Sequence, residues 1–212
     1  MLINLRNALM ASGAGLPYDA EVEYLESSGT QWIDTGVPLK FPISAEMTLA
    51  MISPYGTLDS LPVFGFRYGG GSASSKFAIW FSKSQLRFAL NYGSYDSSWK
   101  GSSVQSGQEV HLRTDMAKLY IDGVLVADGG TVTTSDASNT LTLFQMRDTS
   151  SVANRGQCVR YYSCKLYDAN GTLVRDYIPV RVGTVGYLYD RVTRKLFGNS
   201  GAGDFVLGPD KN

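Results

Sequence analysis

The chain has 212 residues, 43% of them apolar and 18% charged, with nineteen basic residues balancing nineteen acidic ones. A net charge of zero supplies no field for nucleic acid or an anionic membrane, and no apolar run reaches membrane-spanning length. Aromatics at 12% and 23 glycines suit pleated strands joined by tight turns better than helices.

Residues 1–17 stand apart. Leu2, Leu5, Leu9 and Met10 repeat at helical spacing, and the stretch ends in the breaker cluster Ser12-Gly13-Ala14-Gly15-Leu16-Pro17. It has no continuous apolar h-region, so it does not read as a signal peptide. A short helix with an apolar stripe is too short to stand alone in water, which predicts an attachment segment at 1–17 ahead of one β domain at 18–212.

The stretch EVEYLESSGTQWIDTGV (21–37) packs Glu21, Glu23, Glu26, Asp34 and Trp32 around a Ser-Ser-Gly-Thr break. An odd separation puts Glu21 and Glu26 on opposite faces of a regular strand, so these carboxylates read as charged edges of two strands. Trp32, on the same side as Asp34, reads as a packed aromatic.

From residue 18 onward the period is two. Phe77, Ile79 and Phe81 alternate with Ala78 and Trp80, and Leu86, Phe88, Leu90 and Tyr92 alternate with Arg87, Ala89 and Asn91. The polar SKSQ between them predicts a hairpin loop. In AKLYIDGVLVADG the Asp122-Gly123 pair fits a two-residue type I′ turn, which sets Ile121 opposite Val124 and Leu119 opposite Val126 on one face. Further strands are expected at 44–52, 62–68, 109–114, 140–147, 157–167 and 173–181, with a last hairpin at 186–197. No helix is expected after residue 17. Many alternating strands with turn signals between them predict an all-β, two-sheet antiparallel sandwich.

Cys158 and Cys164 lie six residues apart in QCVRYYSC, roughly 20 Å along a strand, too far for a disulfide. The even spacing predicts one shared face, with both thiols serving as small core hydrophobes. His111 is the sole histidine, which excludes a histidine metal cluster. GNSGAG (198–203) reads as a turn before the last strand, and YGGGS (68–72) precedes a strand, so neither cradles phosphate. No cofactor is expected.

VEYLESSGTQWIDTGV, KLYIDGVLVADG and CKLYDANGTLVRDYIPVRVGTVGYLYDRVTRKLFGNSG together resemble concanavalin A-like (laminin-G-like) jelly-roll domains of gut bacteria and their phages, over about Tyr18 to Gly208. The resemblance implies two sheets, one convex and one concave, with the first and last strands adjacent. It does not imply a chemistry, because this fold hosts lectins, adhesins, glycosidases and structural modules. Some glycosidases of this fold carry Glu-x-Asp-x-x-Glu on one strand; Glu21-Val22-Glu23-Tyr24-Leu25-Glu26 lacks the central Asp and lies at the chain's start. Domains of this kind also bind Ca²⁺ through loop carboxylates; Asp96, Asp136 and Asp148 are candidates, but no Asp-rich spacing singles them out and no metal is assigned.

Sugar binding is the favoured function. Trp80, on the face opposite the Phe77–Phe81 core stripe, with Arg87 and Asn91 across the hairpin, and Tyr95 and Trp99 in NYGSYDSSWKG, form the expected ligand-binding set; no catalytic residue is assigned. The whole is read as a non-enzymatic, lectin-like module of a phage or prophage virion. Its partners would be a glycan or host-surface polysaccharide, other virion proteins through residues 1–17, and copies of itself. It would be made in the host cytoplasm and act on the virion. The alternatives are a glycan-cleaving hydrolase on the same fold and a bacterial cell-surface adhesin.

Overall fold

The computed structural model describes residues 15–68, 74–148, 152–153 and 157–211, with the side chains of 152–153 excepted. Residues 1–14 of the expected attachment segment and most of YGGGS therefore lie outside the described residues. Nineteen strands and no helix occur among those described. The first are β1 (Ala20–Glu21), β2 (Leu25–Ser28), β3 (Ile33–Pro38) and β4 (Ser44–Met51). β5 (Ser60–Arg67), β6 (Lys76–Ser82), β7 (Arg87–Tyr92) and β8 (Tyr95–Asp96) follow. Next come β9 (Glu109–Asp115), β10 (Lys118–Ile121), β11 (Val124–Asp128), β12 (Thr140–Leu143), β13 (Met146–Asp148) and β14 (Val152–Ala153). β15 (Cys158–Tyr167), β16 (Leu173–Val182), β17 (Val185–Asp190), β18 (Lys195–Phe197) and β19 (Val206–Leu207) complete the chain.

The strands form the two-sheet sandwich that the alternation predicts. One sheet has eleven strands in the order β11-β10-β9-β4-β15-β16-β17-β18, with β1 on β16, β2 on β15 and β19 on β2. The other has eight, in the order β14-β13-β5-β6-β7-β8 with β12 and β3 alongside. Pairing is antiparallel apart from β13, which runs parallel to β5. The first and last described strands meet, as the resemblance implies: Val206 pairs with Glu26, and Val22 bridges to Asp210. Arg181 locks that junction with a bidentate pair to Asp210 at 2.7 and 2.6 Å.

The core lies between the sheets and is largely aromatic. Phe64, Phe66, Phe77, Phe81 and Phe88 are fully buried, and edge-on contacts link Phe64 to Phe77 and Phe77 to Tyr92 at 5.0 and 5.3 Å. From the facing sheet, Met47, Leu49, Leu112, Val159 and Tyr161 complete the packing. The Tyr92 hydroxyl accepts from Ile43 N–H at 3.1 Å, and burial pushes its pKa up to about 12.

Three local expectations change. The Asp122-Gly123 turn has φ of 49° and 81°, as type I′ requires, and sets Ile121 opposite Val124. A bulge between Leu119 and Tyr120 then moves Leu119 opposite Ala127 rather than Val126. Val124, on the edge strand β11, stands exposed instead of sharing a buried face. The strand expected at 140–147 is two strands, because Phe144 adopts φ of 70° and turns its ring inward against Tyr161 and Phe205, each at 4.6 Å. Finally, the cysteines do not share a face. Neither is in a disulfide, but a bulge between Tyr161 and Ser163 reverses the parity of β15. Val159, Tyr161, Cys164 and Leu166 point inward, and Cys158 points out. The expectation of a core thiol holds for Cys164 alone.

Two outcomes follow from this packing. Burial, with Asp176 and Glu46 nearby, raises the Cys164 thiol far above its ordinary pKa, and burial raises Cys158 less. Alkylation of the native protein should therefore label Cys158 slowly and Cys164 only after unfolding, as peptide mass spectrometry would show. Gly65 has φ of 116°, and a Cβ there would run into the Phe77 carbonyl and the Ala78 backbone. Gly65→Ala should destabilise by roughly 3 kcal/mol or more, measured by denaturant unfolding.

Candidate functional site

The outer face of the eight-stranded sheet, opposite the core, carries a cleft of about 360 Å³ lined by Arg67, Lys76, Trp80, Asn91, Asp96 and Trp99, among others. Its volume is in the range of small-ligand sites. Strand pairing builds it. Arg67 lies opposite Lys76, Gly65 opposite Ala78, Ala78 opposite Asn91 and Trp80 opposite Ala89, so one face presents a small-residue floor between polar walls. Trp80, Ala78, Ala89 and Met146 form a buried cluster on this face, and Trp99 packs against it.

The polar wall is tied together. Lys76 Nζ, on a side chain only 10% exposed, donates to Asp96 Oδ2 at 2.6 Å, while Asn91 Nδ2 donates to Asp96 Oδ1. Asp96 sits on β8, at the end of the Gly93-Ser94 turn, and Trp99 follows three residues later. This triad therefore pins the segment that carries Trp99. Ser97 adds a second tie by accepting from Leu90 N–H at 2.8 Å. Arg67 reaches Asp148 at 3.5 Å and lies 5.5 Å from the centre of the Trp80 ring.

Of the five residues expected to bind ligand, the structure brings Trp80, Asn91 and Trp99 together. Trp80 is on the expected face, but at 6% exposure it is the floor of the cleft rather than an open platform; Trp99 is the half-exposed indole. Arg87 lies opposite Ser82 at the far end of the hairpin, exposed and outside the cleft. Tyr95 is turned to the opposite side of the hairpin. Its ring packs on the main core and against Gly129, where a Cβ would come within 2.6 Å of it, and burial raises its pKa. Arg67, Lys76 and Asp96 were not in the expected set. Period two from Trp80 leads to Lys76, and the turn places Asp96 opposite Asn91, so both were within reach of the pattern.

The other carboxylates resolve as follows. Glu21 accepts from Tyr18 at 3.3 Å, and Glu26 is held by Arg160 at 2.6 Å on a different strand. Both carboxylates are held by scaffold residues, and because Glu21 is on β1 and Glu26 on β2 the expected parity along one strand does not apply to them. Trp32 packs under Arg147, which also binds Asp34 at 2.7 Å. Asp136 accepts from Phe41 N–H and Asp168 from the Asn170 and Thr172 N–H groups, both shaping turns. No group of His, Cys, Asp and Glu among the described residues is arranged to hold a metal ion.

A second cleft, about 330 Å³, opens on the outer face of the eleven-stranded sheet and includes Glu46, Arg113, Asp115, Tyr167 and Asp168. Glu46 accepts from the Tyr167 hydroxyl at 3.2 Å and shares a hydrogen bond with His111 Nε2 at 3.0 Å. Burial alone would raise Glu46, but these two hydrogen bonds and the charge of Lys165 outweigh it and hold the carboxyl below its ordinary range.

No protein-family model matches the chain, and no curated relative does. Among solved structures it is similar to a mutant of Trypanosoma rangeli sialidase displaying trans-sialidase activity, at 17% identity and a TM-score of 0.44, covering 59% of this chain and 20% of that one. It is also similar to Trypanosoma rangeli sialidase in complex with the inhibitor DANA, at 14% identity and a TM-score of 0.45, covering 76% of this chain and 34% of that one. The chain thus spans between a fifth and about a third of these proteins. Both are glycoside hydrolases, which stands against the expected non-enzymatic virion module. That reading is withdrawn.

The electrostatics give a pH dependence. Glu46, Asp59, Asp136, Asp168 and Asp210 all have carboxyl pKa values lowered by folding. A lowered folded-state pKa stabilises above the unfolded value, and that contribution disappears as pH falls through the folded one. The melting temperature should be flat near neutrality and fall below about pH 4. Glu46→Gln should flatten part of that decline in a calorimetric pH series.

Proposed function

We propose that this concanavalin A-like jelly roll belongs to a protein that acts on glycans, and that the Trp80–Trp99 cleft is where it holds the saccharide. One observation carries the reading: a partly buried indole at the cleft wall beside a row of hydrogen-bonding groups, on the outer face of a sheet whose inner face is the core. Sugars present a patch of C–H bonds on one side and hydroxyls at the rim. An indole takes the first by apolar contact, and Asn and carboxylate groups take the second. Asn91, Asp96 and Trp99 offer both kinds of surface within one cleft. Trp80 and Ala89 floor the cleft between these groups.

Cleavage by the chain's own groups is a second reading, favoured by a separate observation on the other sheet, the Glu46–Tyr167 pair in the second cleft. A phenol hydrogen-bonded to a carboxylate is a nucleophile paired with a base, the arrangement sialidases use in place of two carboxylates. Arg113 and Asp115 in the same cleft supply a cation for an anionic group and a second carboxyl. Reducing-sugar release from a polysaccharide and sialoside panel tests it, with loss of activity expected in both Glu46→Gln and Tyr167→Phe.

The binding reading makes a sharper prediction, because burial separates the two tryptophans. Trp80→Ala removes a buried indole and should cost ~3–5 kcal/mol of stability. Trp99→Ala removes a partly buried indole and should cost less stability than Trp80→Ala while weakening saccharide binding by roughly tenfold or more, measured by titration calorimetry. Unchanged affinity in Trp99→Ala, with binding retained elsewhere, would remove the cleft from consideration.

A further inference from the structure

We infer that the cleft selects an uncharged, hydroxyl-rich saccharide and excludes acidic sugars; this rests on the reading of the cleft as a saccharide site. At first sight the lining suggests the opposite, since Arg67 and Lys76 are cations of the kind that grip carboxylates and sulfates. Both are already engaged. The Lys76 side chain is 10% exposed and its ammonium lies 2.6 Å from Asp96. A ligand carboxylate would have to compete with Asp96 for that one largely buried ammonium, and would stand beside a like charge as it did so. Arg67 has Asp148 at 3.5 Å, on a side chain 26% exposed. Two cations and two carboxylates therefore cancel around this cleft.

What remains for a ligand is polar but neutral. Asp96 receives Lys76 on one oxygen and Asn91 on the other, and each oxygen keeps lone-pair capacity. With the Asp96 side chain 58% exposed, that capacity faces solvent and suits ligand hydroxyls, which donate, whereas a ligand carboxylate would be repelled. Ser97 accepts from Leu90 N–H, so its own proton is a donor for a ring or hydroxyl oxygen. A carboxylate fixed by two donors, a hydroxyl and the Trp99 indole form a surface that reads the spacing of hydroxyls rather than charge.

Titration of the full chain with neutral glucans, mannans and galactans, and with polygalacturonate, sialylated oligosaccharides and sulfated glycans, tests this. Neutral glycans should bind with an affinity that changes less than about twofold between roughly 50 and 500 mM NaCl, because no net charge is neutralised on binding. Asp96→Asn should weaken that binding roughly tenfold by replacing one of the two acceptor oxygens with a donor and removing the charge that strengthens the other. Asp148→Asn, which releases Arg67, should gain salt-sensitive binding of acidic glycans. Wild-type preference for acidic glycans, lost at high salt, overturns the inference while leaving the saccharide site standing. Failure of every glycan to bind removes the saccharide site itself. The wild-type salt series decides between these without relying on any variant's folding.

Discussion

Every residue of β6, Lys76 to Ser82, is buried, and both faces of the sandwich's smaller sheet are organised around that strand. A half-buried strand alternates apolar and polar; this one is covered on both sides. Phe77, Ile79 and Phe81 enter the core between the sheets. Ala78 and Trp80 face outward beneath Trp99, and Lys76 ends the row. The cleft therefore inherits its rigidity from the core: Trp80 cannot tilt without moving Ile79 and Phe81, which are locked against Phe64 and Phe88. A site built on a central strand is held more firmly than one built on loops. The part with freedom is the Gly93–Lys100 return, and the Lys76–Asp96–Asn91 triad restrains it.

This construction explains which features were legible in the sequence. Alternation identified the two sheets, the β6–β7 hairpin and its outward Trp80, because period-two patterning is local and survives in a regular antiparallel pair. It placed Asn91 on the correct face for the same reason. It failed wherever a bulge intervened. The extra residue near Tyr162 sends Cys158 outward, and the bulge at Leu119 moves Val126 out of its expected pairing. A bulge depends on packing against a partner strand far along the chain, and its residues carry no local mark. Arg87 illustrates a different miss. It has the right parity but lies beyond the end of the cleft, and parity gives the face without the position along it.

Asp96 and Lys76 show what pattern reading omits at a site. The pattern gives Lys76 no role and offers Asp96 only as one of three loop carboxylates for a cation. They become a pair only because β8 folds back on β7 and brings Asp96 opposite Asn91. That return has two residues of strand, too few for a periodicity signal.

The outer faces of the two sheets solve the same exposure problem in opposite ways, and this decides where a neutral ligand finds a hold. On the large sheet, neighbouring strands place Tyr120, Arg113, Glu46, Lys165 and Asp176 in one row, with Arg191 3.8 Å from Asp176. Arg113 lies over the Tyr120 ring at 3.8 Å, and the alternating signs along the row make each cross-strand neighbour attractive. Long charged side chains there cover the backbone and hold water. On the small sheet, Gly65, Ala78 and Ala89 cover little, so Trp80, Trp99 and Met146 must shield the sheet in place of charge. The charged row holds its side chains by cross-strand attraction between opposite charges. The small-residue floor instead leaves a depression whose walls are internally neutralised. A saccharide entering it displaces water from an indole and from hydroxyl partners without breaking an ion pair, so its affinity should be governed by shape and hydroxyl geometry.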